Sequence, residues 1–362
     1  MKIAYILSAD PFEENGVNKK IKSQTDTWKS FGHNVKIFSI LVNEGTHRTE
    51  NYFNSSIYQR EKIFILPKSF RKDLTDFKPD IVYLRFEVFK PFHLSILKSF
   101  NVIVEINTND IVEFKLQASK SIREKIRLIY HLLTRWIIFK YAKGIISVTD
   151  ELLSKHYMNK YKKPSLVIPN NLILKNFKIL KKSNNKIPNL VFMGTSDYPW
   201  HGIEKIIELA KETENELFFH IIGSEDTNYP NLKNVKFYGY LLRKDYEKII
   251  EKCDIGISTL SLHKINMNEA SSLKLREYLA YGLPSIIGYR DTAFINSIPK
   301  WILEIPNEES NLLYNKNRII DFCNRMKDVI VTHEESKKYI DSKLIEKNRM
   351  NFMENLIQSE KQ

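Results

Sequence analysis

Short continuous apolar runs alternate along this chain with longer stretches in which apolar positions recur every three or four residues. The runs Lys2–Ser8, Val35–Ile40, Asp80–Arg85, Val102–Asn107, Gly144–Thr149 and Ser165–Asn170 predict strands of a first half. Asn189–Gly194, Phe218–Gly223, Val235–Gly239, Asp254–Leu260 and Ser285–Gly288 predict strands of a second. Helical spacing marks about Asn18–Phe31, Ser119–Lys143, Ile203–Thr213, Lys244–Cys253, Leu273–Tyr281 and Glu334–Lys361. Strand and helix in alternation build β-α-β units, hence an α/β chain with buried parallel sheets. A polar, lysine- and asparagine-rich stretch, Lys178–Lys186, reads as a linker. The expected domains are therefore 1–175 and 187–333, followed by a terminal helix, 334–362. A chain of 362 residues suits two domains of the usual ~100–200 residues each.

Candidate chemistry gathers where predicted strands end. The most ordered stretch runs from Glu269 to Pro284: Ser271 or Ser272 can cap a short helix, Gly282 fits the left-handed position after it, and Pro284 stops it. The free N–H groups around Ser271, Ser272 and Leu273, with Lys274 beside them, form a seat for a phosphate or sugar oxygen. Glu277, one turn further in, can accept hydrogen bonds from the vicinal diol of a ribose. A second loop, Thr195 to Gly202, follows the strand that ends at Gly194, and Gly223 closes the next strand. In the first half Gly16 sits in the loop Asp10–Val17, while Arg85, Glu105, Asn107 and Asp110 lie at or just past strand ends.

The two glutamates, Glu269 and Glu277, in this strand-helix-strand setting resemble the Glu-x7-Glu signature of glycosyltransferase family 4. The resemblance implies a GT-B fold: two Rossmann-like doubly wound domains facing a central cleft, with a C-terminal helix crossing back to the first domain. It implies retaining transfer of a hexose from a nucleoside diphosphate sugar, UDP favoured over GDP, to a hydroxyl of a glycan, a lipid-linked or a glycoprotein acceptor in cell-surface polysaccharide assembly. Pro199-Trp200-His201-Gly202 and the strand end Glu105-Ile106-Asn107 are similar to one subset of that family. The family's common arginine and lysine are absent from the Thr195–Gly202 loop, and so is its familiar donor-sugar histidine. By this resemblance Gly16, Gly194, Thr195, His201, Gly202, Gly223, Tyr240, Ser271, Ser272, Leu273, Lys274 and Glu277 bind donor. Glu269, His201, Asn107 and Asp110 are the catalytic candidates, and Arg85 and Glu105 face the acceptor. His201 is expected to donate to a diphosphate oxygen, with a structural ring stacked beside Trp200 as the competing account. Tyr240 borders the base. No side chain is assigned as base, since in such enzymes the leaving phosphate is thought to take the acceptor proton. The rival is a non-catalytic GT-B-like subunit that stabilises an active partner.

Charge adds one constraint and motif absence several. The chain carries a net charge of +13 and a pI near 9.3, which favours an anionic partner: donor, nucleic acid or membrane surface. Scattered basic residues with no recognition motif argue against nucleic acid. There is no Asp-x-Asp, no Gly-x-Gly-x-x-Gly and no Gly-x-x-x-x-Gly-Lys, so neither a bound metal nor any cofactor is expected. Cys253 and Cys323 form no redox or metal motif, and with no apolar run of membrane-spanning length the expected location is cytoplasmic. For Ser119–Lys143 the favoured reading packs its apolar stripe on the first sheet and leaves a basic face in water. The alternative rests one face on an anionic membrane.

Overall fold

The structure, a computed structural model, describes all residues except 12, 14, 42–54, 60–66, 156–157, 181–183, 226–228, 230 and 360–362; parts of the expected glycine loop and linker lie outside the described residues. The chain divides into two compact units, Met1–Ile168 with Glu346–Gln362, and Pro169–Ile345. The division after Ile168 precedes the expected 175.

The first unit runs β1 (Lys2–Leu7), α1 (Gly16–Ser30), β2 (Asn34–Leu41), β3 (Ser55–Gln59), α2 (Lys68–Phe77), β4 (Ile81–Arg85), α3 (Pro91–Ser99), β5 (Val102–Ile106), α4 (Asp110–Ala118), α5 (Ile122–Tyr141), β6 (Gly144–Ser147), α6 (Asp150–Lys155), α7 (Met158–Tyr161) and β7 (Ser165–Val167). Its strands pair in the order β3-β2-β1-β4-β5-β6-β7, all parallel. Strand order reverses between β1 and β4, which opens a crevice at their carboxyl ends. The core joins Tyr5, Trp28 and Tyr83 to Ile3, Ile37 and Ile103.

The second unit runs β8 (Asn189–Met193), α8 (Ile203–Glu212), β9 (Phe218–Ile222), β10 (Val235–Phe237), α9 (Arg243–Ile250), β11 (Ile255–Ile257), β12 (Glu269–Ala270), α10 (Leu273–Ala280), β13 (Ser285–Ile287), β14 (Arg290–Asp291), β15 (Ile302–Glu304), α11 (Asn311–Tyr314), α12 (Lys316–Met326) and α13 (His333–Ile340). The order β10-β9-β8-β11-β13-β15 reverses between β8 and β11. Gly256 lets the Tyr278 ring of α10 cross the sheet: a Cβ there would stand 2.4 Å from the ring. The Tyr278 hydroxyl in turn accepts from the Met193 N–H at the end of β8, 2.8 Å away. Helix α10 is thereby fixed against the strand whose loop it serves.

The expected terminal helix is two. Between α13 and α14 (Ser342–Ser359) the chain pauses at Asp341, which bridges Leu172; the Ser342 N–H donates to the Leu172 carbonyl at 2.8 Å. From Glu346 onward α14 belongs to the first unit. Its Met350 and Met353 enter that core. Glu346 accepts from the Trp28 indole at 2.7 Å, and Arg349 donates to Glu105 at 3.0 Å. The return of the last helix is thus a matter of buried charge as well as apolar packing.

Candidate functional site

In the second unit, candidate residues collect at the carboxyl ends of β8 and β11. Gly194 ends β8 at φ +158, and a Cβ there would come within 2.9 Å of both the His201 ring and the Lys274 Nζ. Any larger residue would fill the space those two groups share. The loop then turns through Thr195 into one 3-10 turn, Pro199–His201. Gly202, at φ +76, lets it pass Leu260 and Ser261 before α8 begins. Gly223 packs on the Gly194 carbonyl, and its N–H donates to Gly239 at 2.7 Å. Tyr240 follows with its ring 72 % exposed.

Lys274 is the unusual member. Its ammonium nitrogen is buried 4.2 Å from the Phe192 ring centroid, and among the described residues no hydrogen-bond acceptor meets it. Thr195 Oγ1 is likewise buried without a partner. Burial pushes the Lys274 pKa down to about 7. A buried cation with nothing opposite it is a costly arrangement, and an incoming anion removes the cost. The cation missing from the Thr195–Gly202 loop in sequence thus reaches that loop from α10.

His201 corrects an expectation. Its Nδ1 lies 2.7 Å from the Thr195 carbonyl, so Nδ1 carries the proton and donates. Burial first, and the Lys274 charge second, push its pKa down to about 3, against the smaller opposing pull of that carbonyl. The ring is therefore neutral near neutral pH, and its Nε2 is an acceptor. In the ligand-free chain Nε2 thus offers an acceptor to a hydroxyl rather than a donor to a diphosphate oxygen. Trp200 lies edge-on at 6.3 Å between centroids rather than stacked.

The two glutamates sit on different elements. Glu269 lies on β12, paired with Arg290 of β14, and Glu277 lies on α10 with Oε2 accepting from the Tyr246 hydroxyl at 2.9 Å. Both are half-buried. Ser272 holds the cap position of α10 without a side-chain cap bond, so the N–H groups of Leu273 and Lys274 keep the orphan status of a first turn. Ser271 is neither cap nor open donor ligand. It is buried, with Oγ accepting from Asn170 N–H at 2.7 Å and from Arg276 at 2.9 Å. Arg276, wholly buried, donates twice to Asp291 and once to the Asn170 carbonyl. This knot ties α10 to β14 and so to the strand of Glu269. Its signal in the sequence was an arginine at an interior position between Leu275 and Tyr278.

In the first unit a cavity of about 190 Å³ opens past β4 and β5. It is lined by Arg85, Asn107 and Asp110, three of the expected residues, together with Glu87, Lys90 and Glu113, which sequence reasoning missed. Arg85 presents a buried Nη1 that no described residue meets. Asp110 is held by His131 Nε2 at 2.5 Å and Arg135 at 2.7 Å. Burial alone would raise Glu87, but Lys90 and His93 outweigh it and hold the carboxyl at about 2. Burial pushes the Glu113 carboxyl up. Asn107 accepts from Lys20 and donates to Glu105 at 3.3 Å. Gly16 is the first residue of α1, capped by Asn15, not a mid-loop glycine.

Glu105 is corrected. It is wholly buried and does not line the cavity. Burial would raise its pKa, yet Lys20 at 3.1 Å and Arg349 at 3.0 Å dominate and hold it far below the carboxylate range. Strand alternation explains the error, since a polar residue at a strand end can point to either side of the sheet.

Two doubly wound parallel domains with the last helix returned to the first define the GT-B class of fold, and comparison with solved structures agrees. The chain is similar to sucrose-phosphate synthase from Thermosynechococcus elongatus (TM-score 0.69, 13 % identity, 99 % of this chain and 100 % of that one). It is similar to an alpha-glucosyltransferase in complex with UDP (0.66, 14 %, 98 % and 100 %) and to HepE from Anabaena in complex with UDP and glucose (0.63, 13 %, 98 % and 100 %). No family model matches the chain, and no curated protein matches it in sequence.

Proposed function

We propose that this chain is a glycosyltransferase of the family 4 type, a retaining, metal-independent hexosyltransferase that uses a nucleoside diphosphate sugar. The observation that carries the proposal is the buried, unpartnered Lys274 ammonium beside Gly194, Thr195 and an uncapped helix start. As the glycosidic bond breaks, the sugar gains oxocarbenium character and the diphosphate gains negative charge. A fixed cation and N–H groups aimed at that charge lower the barrier. Lys274, Thr195 and the first turn of α10 would hold the diphosphate, and Glu277, steadied by Tyr246, the ribose. Glu269 and His201 Nε2 would accept hydroxyl protons of the sugar. UDP is favoured because the alpha-glucosyltransferase and HepE structures hold it. Exposed Tyr240 offers a ring for the base.

The acceptor, a hydroxyl of a glycan, lipid-linked or glycoprotein substrate, would be met in the first unit by Arg85, Asn107 and Asp110, with Glu113 added to the expected set. Asp110, fixed by Arg135 and His131, would orient the hydroxyl rather than take its proton. The work is assigned to the cytoplasm or the inner face of the cell membrane. Purified chain incubated with UDP-hexoses tests the reading: release of UDP in the presence of EDTA, and α-configured product from an α-configured donor, support it. No hydrolysis or transfer from any nucleotide sugar by the chain alone would leave the non-catalytic subunit standing.

A further inference from the structure

Helix α5 is built inside out. Its inward face carries His131 and Arg135, both buried on Asp110, with Ile138 and Phe139 completing the contact. Its outward face carries Ile122, Ile126, Ile129, Leu133 and Trp136, which fall on one stripe by their spacing of four, three, four and three residues. Ile122 is 76 % exposed and Leu133 69 %, and none of the five is buried. The expected inward packing is met by Ile138 and Phe139 and the expected basic face is exposed, but a second apolar stripe stands outward with it. Single exposed apolar residues are ordinary, but a continuous ridge along a helix of 20 residues calls for something to cover it.

Charge selects what covers it. Lys120, Arg123, Lys125, Lys140 and Lys143 are all exposed around the ridge, and between Phe114 and Lys143 the sole acidic residue is Glu124. A second copy of the helix would bring the same positive charge against itself. An anionic phospholipid surface accepts both features, taking the apolar ridge into its acyl boundary and the lysines and arginines at its headgroups. Among the described residues no helix is long and apolar enough to cross a membrane, so the contact is from one side. We infer that the outward face of α5 docks this protein on an anionic phospholipid bilayer. Arg127 and His131 of the same helix also line the first-unit cavity. Docking through α5 therefore brings that cavity to within about one helix diameter, ~10 Å, of the lipid surface, near where a lipid-linked acceptor would be found. The docking itself does not depend on glycosyl transfer.

The test is sedimentation of the full chain with vesicles of phosphatidylcholine, alone or mixed equally with phosphatidylglycerol. The expected result is binding to the mixed vesicles that weakens with salt, with little on phosphatidylcholine alone. Ile129→Glu with Leu133→Glu should weaken partitioning about tenfold or more. The thermal midpoint should hold, since both side chains stand in solvent. Trp136→Phe should abolish a vesicle-induced blue shift in tryptophan emission. The inference is overturned if the mixed vesicles fail to bind, or if the double variant binds them as well as the parent. It is also overturned if light scattering shows a dimer that the double variant dissolves while vesicles are ignored.

Discussion

Buried charges in the two units are handled in opposite ways. In the first unit Glu105 has Lys20 and Arg349, Asp110 has Arg135 and His131, and Glu87 has Lys90, while Arg85 at the cavity keeps one buried Nη1 that no described residue meets. In the second, Arg276 has Asp291, but Lys274 has no acceptor among the described residues. A matched buried pair roughly offsets its own desolvation when whole and is expensive to halve. An unmatched buried cation weakens the empty fold and is repaid on binding an anion. On the proposed function the same kind of group is structural in one place and receptive in the other.

The sharpest break of the contrast falls on the matched side. Arg349→Ala leaves Glu105 and Glu346 buried without their shared guanidinium, and should cost about 3–5 kcal/mol in unfolding of the chain. Denaturant and thermal melts check it, and an unchanged midpoint would mean those carboxylates find water instead. Lys274→Ala should do the reverse. UDP affinity should fall by about 1.5–3 kcal/mol, while the ligand-free chain keeps or gains stability. Calorimetric titration and melts of the same sample read both.

Acidity gives the third effect. Because the folded Lys274 pKa sits near 7 and the unfolded one near 10.5, the unfolded state binds more protons between those values. Lys274 should therefore make the ligand-free chain more stable as pH rises through that window. Anion binding selects the protonated amine, so UDP affinity should fall by up to about tenfold per pH unit above about 7. The smallest change belongs to Thr195→Val, which keeps the shape and removes one neutral hydroxyl. UDP binding should drop by about 0.5–1.5 kcal/mol, with kcat changed less than KM.

Much of this was legible in the sequence. Apolar runs bounded by turn residues located the strands, and Gly282 at φ +89 and Pro284 mark the end of α10 as their chemistry requires. Long-range partnership was not legible. Nothing local says that Glu105 meets an arginine 244 residues away, and its place at a strand end therefore read as exposure. Helix α5 shows the same limit: periodicity found apolar positions but not which of them face in, because part of the inward face is taken by His131 and Arg135 on Asp110 and only Ile138 and Phe139 complete it. In the site, Lys274 was identifiable as a helix-start cation. Its burial without a hydrogen-bond acceptor among the described residues, on which the proposed phosphate contact rests, depends on the Gly194 and Thr195 segment folded around it.

The central claim is that one lysine waits for a diphosphate. UDP titrated into the parent chain and Lys274→Met at about pH 7 and about pH 9 tests it most directly. The account predicts that parent affinity declines between the two conditions, whereas Lys274→Met binds weakly and equally at both. Undiminished binding by Lys274→Met, or the same decline in its absence, would contradict it.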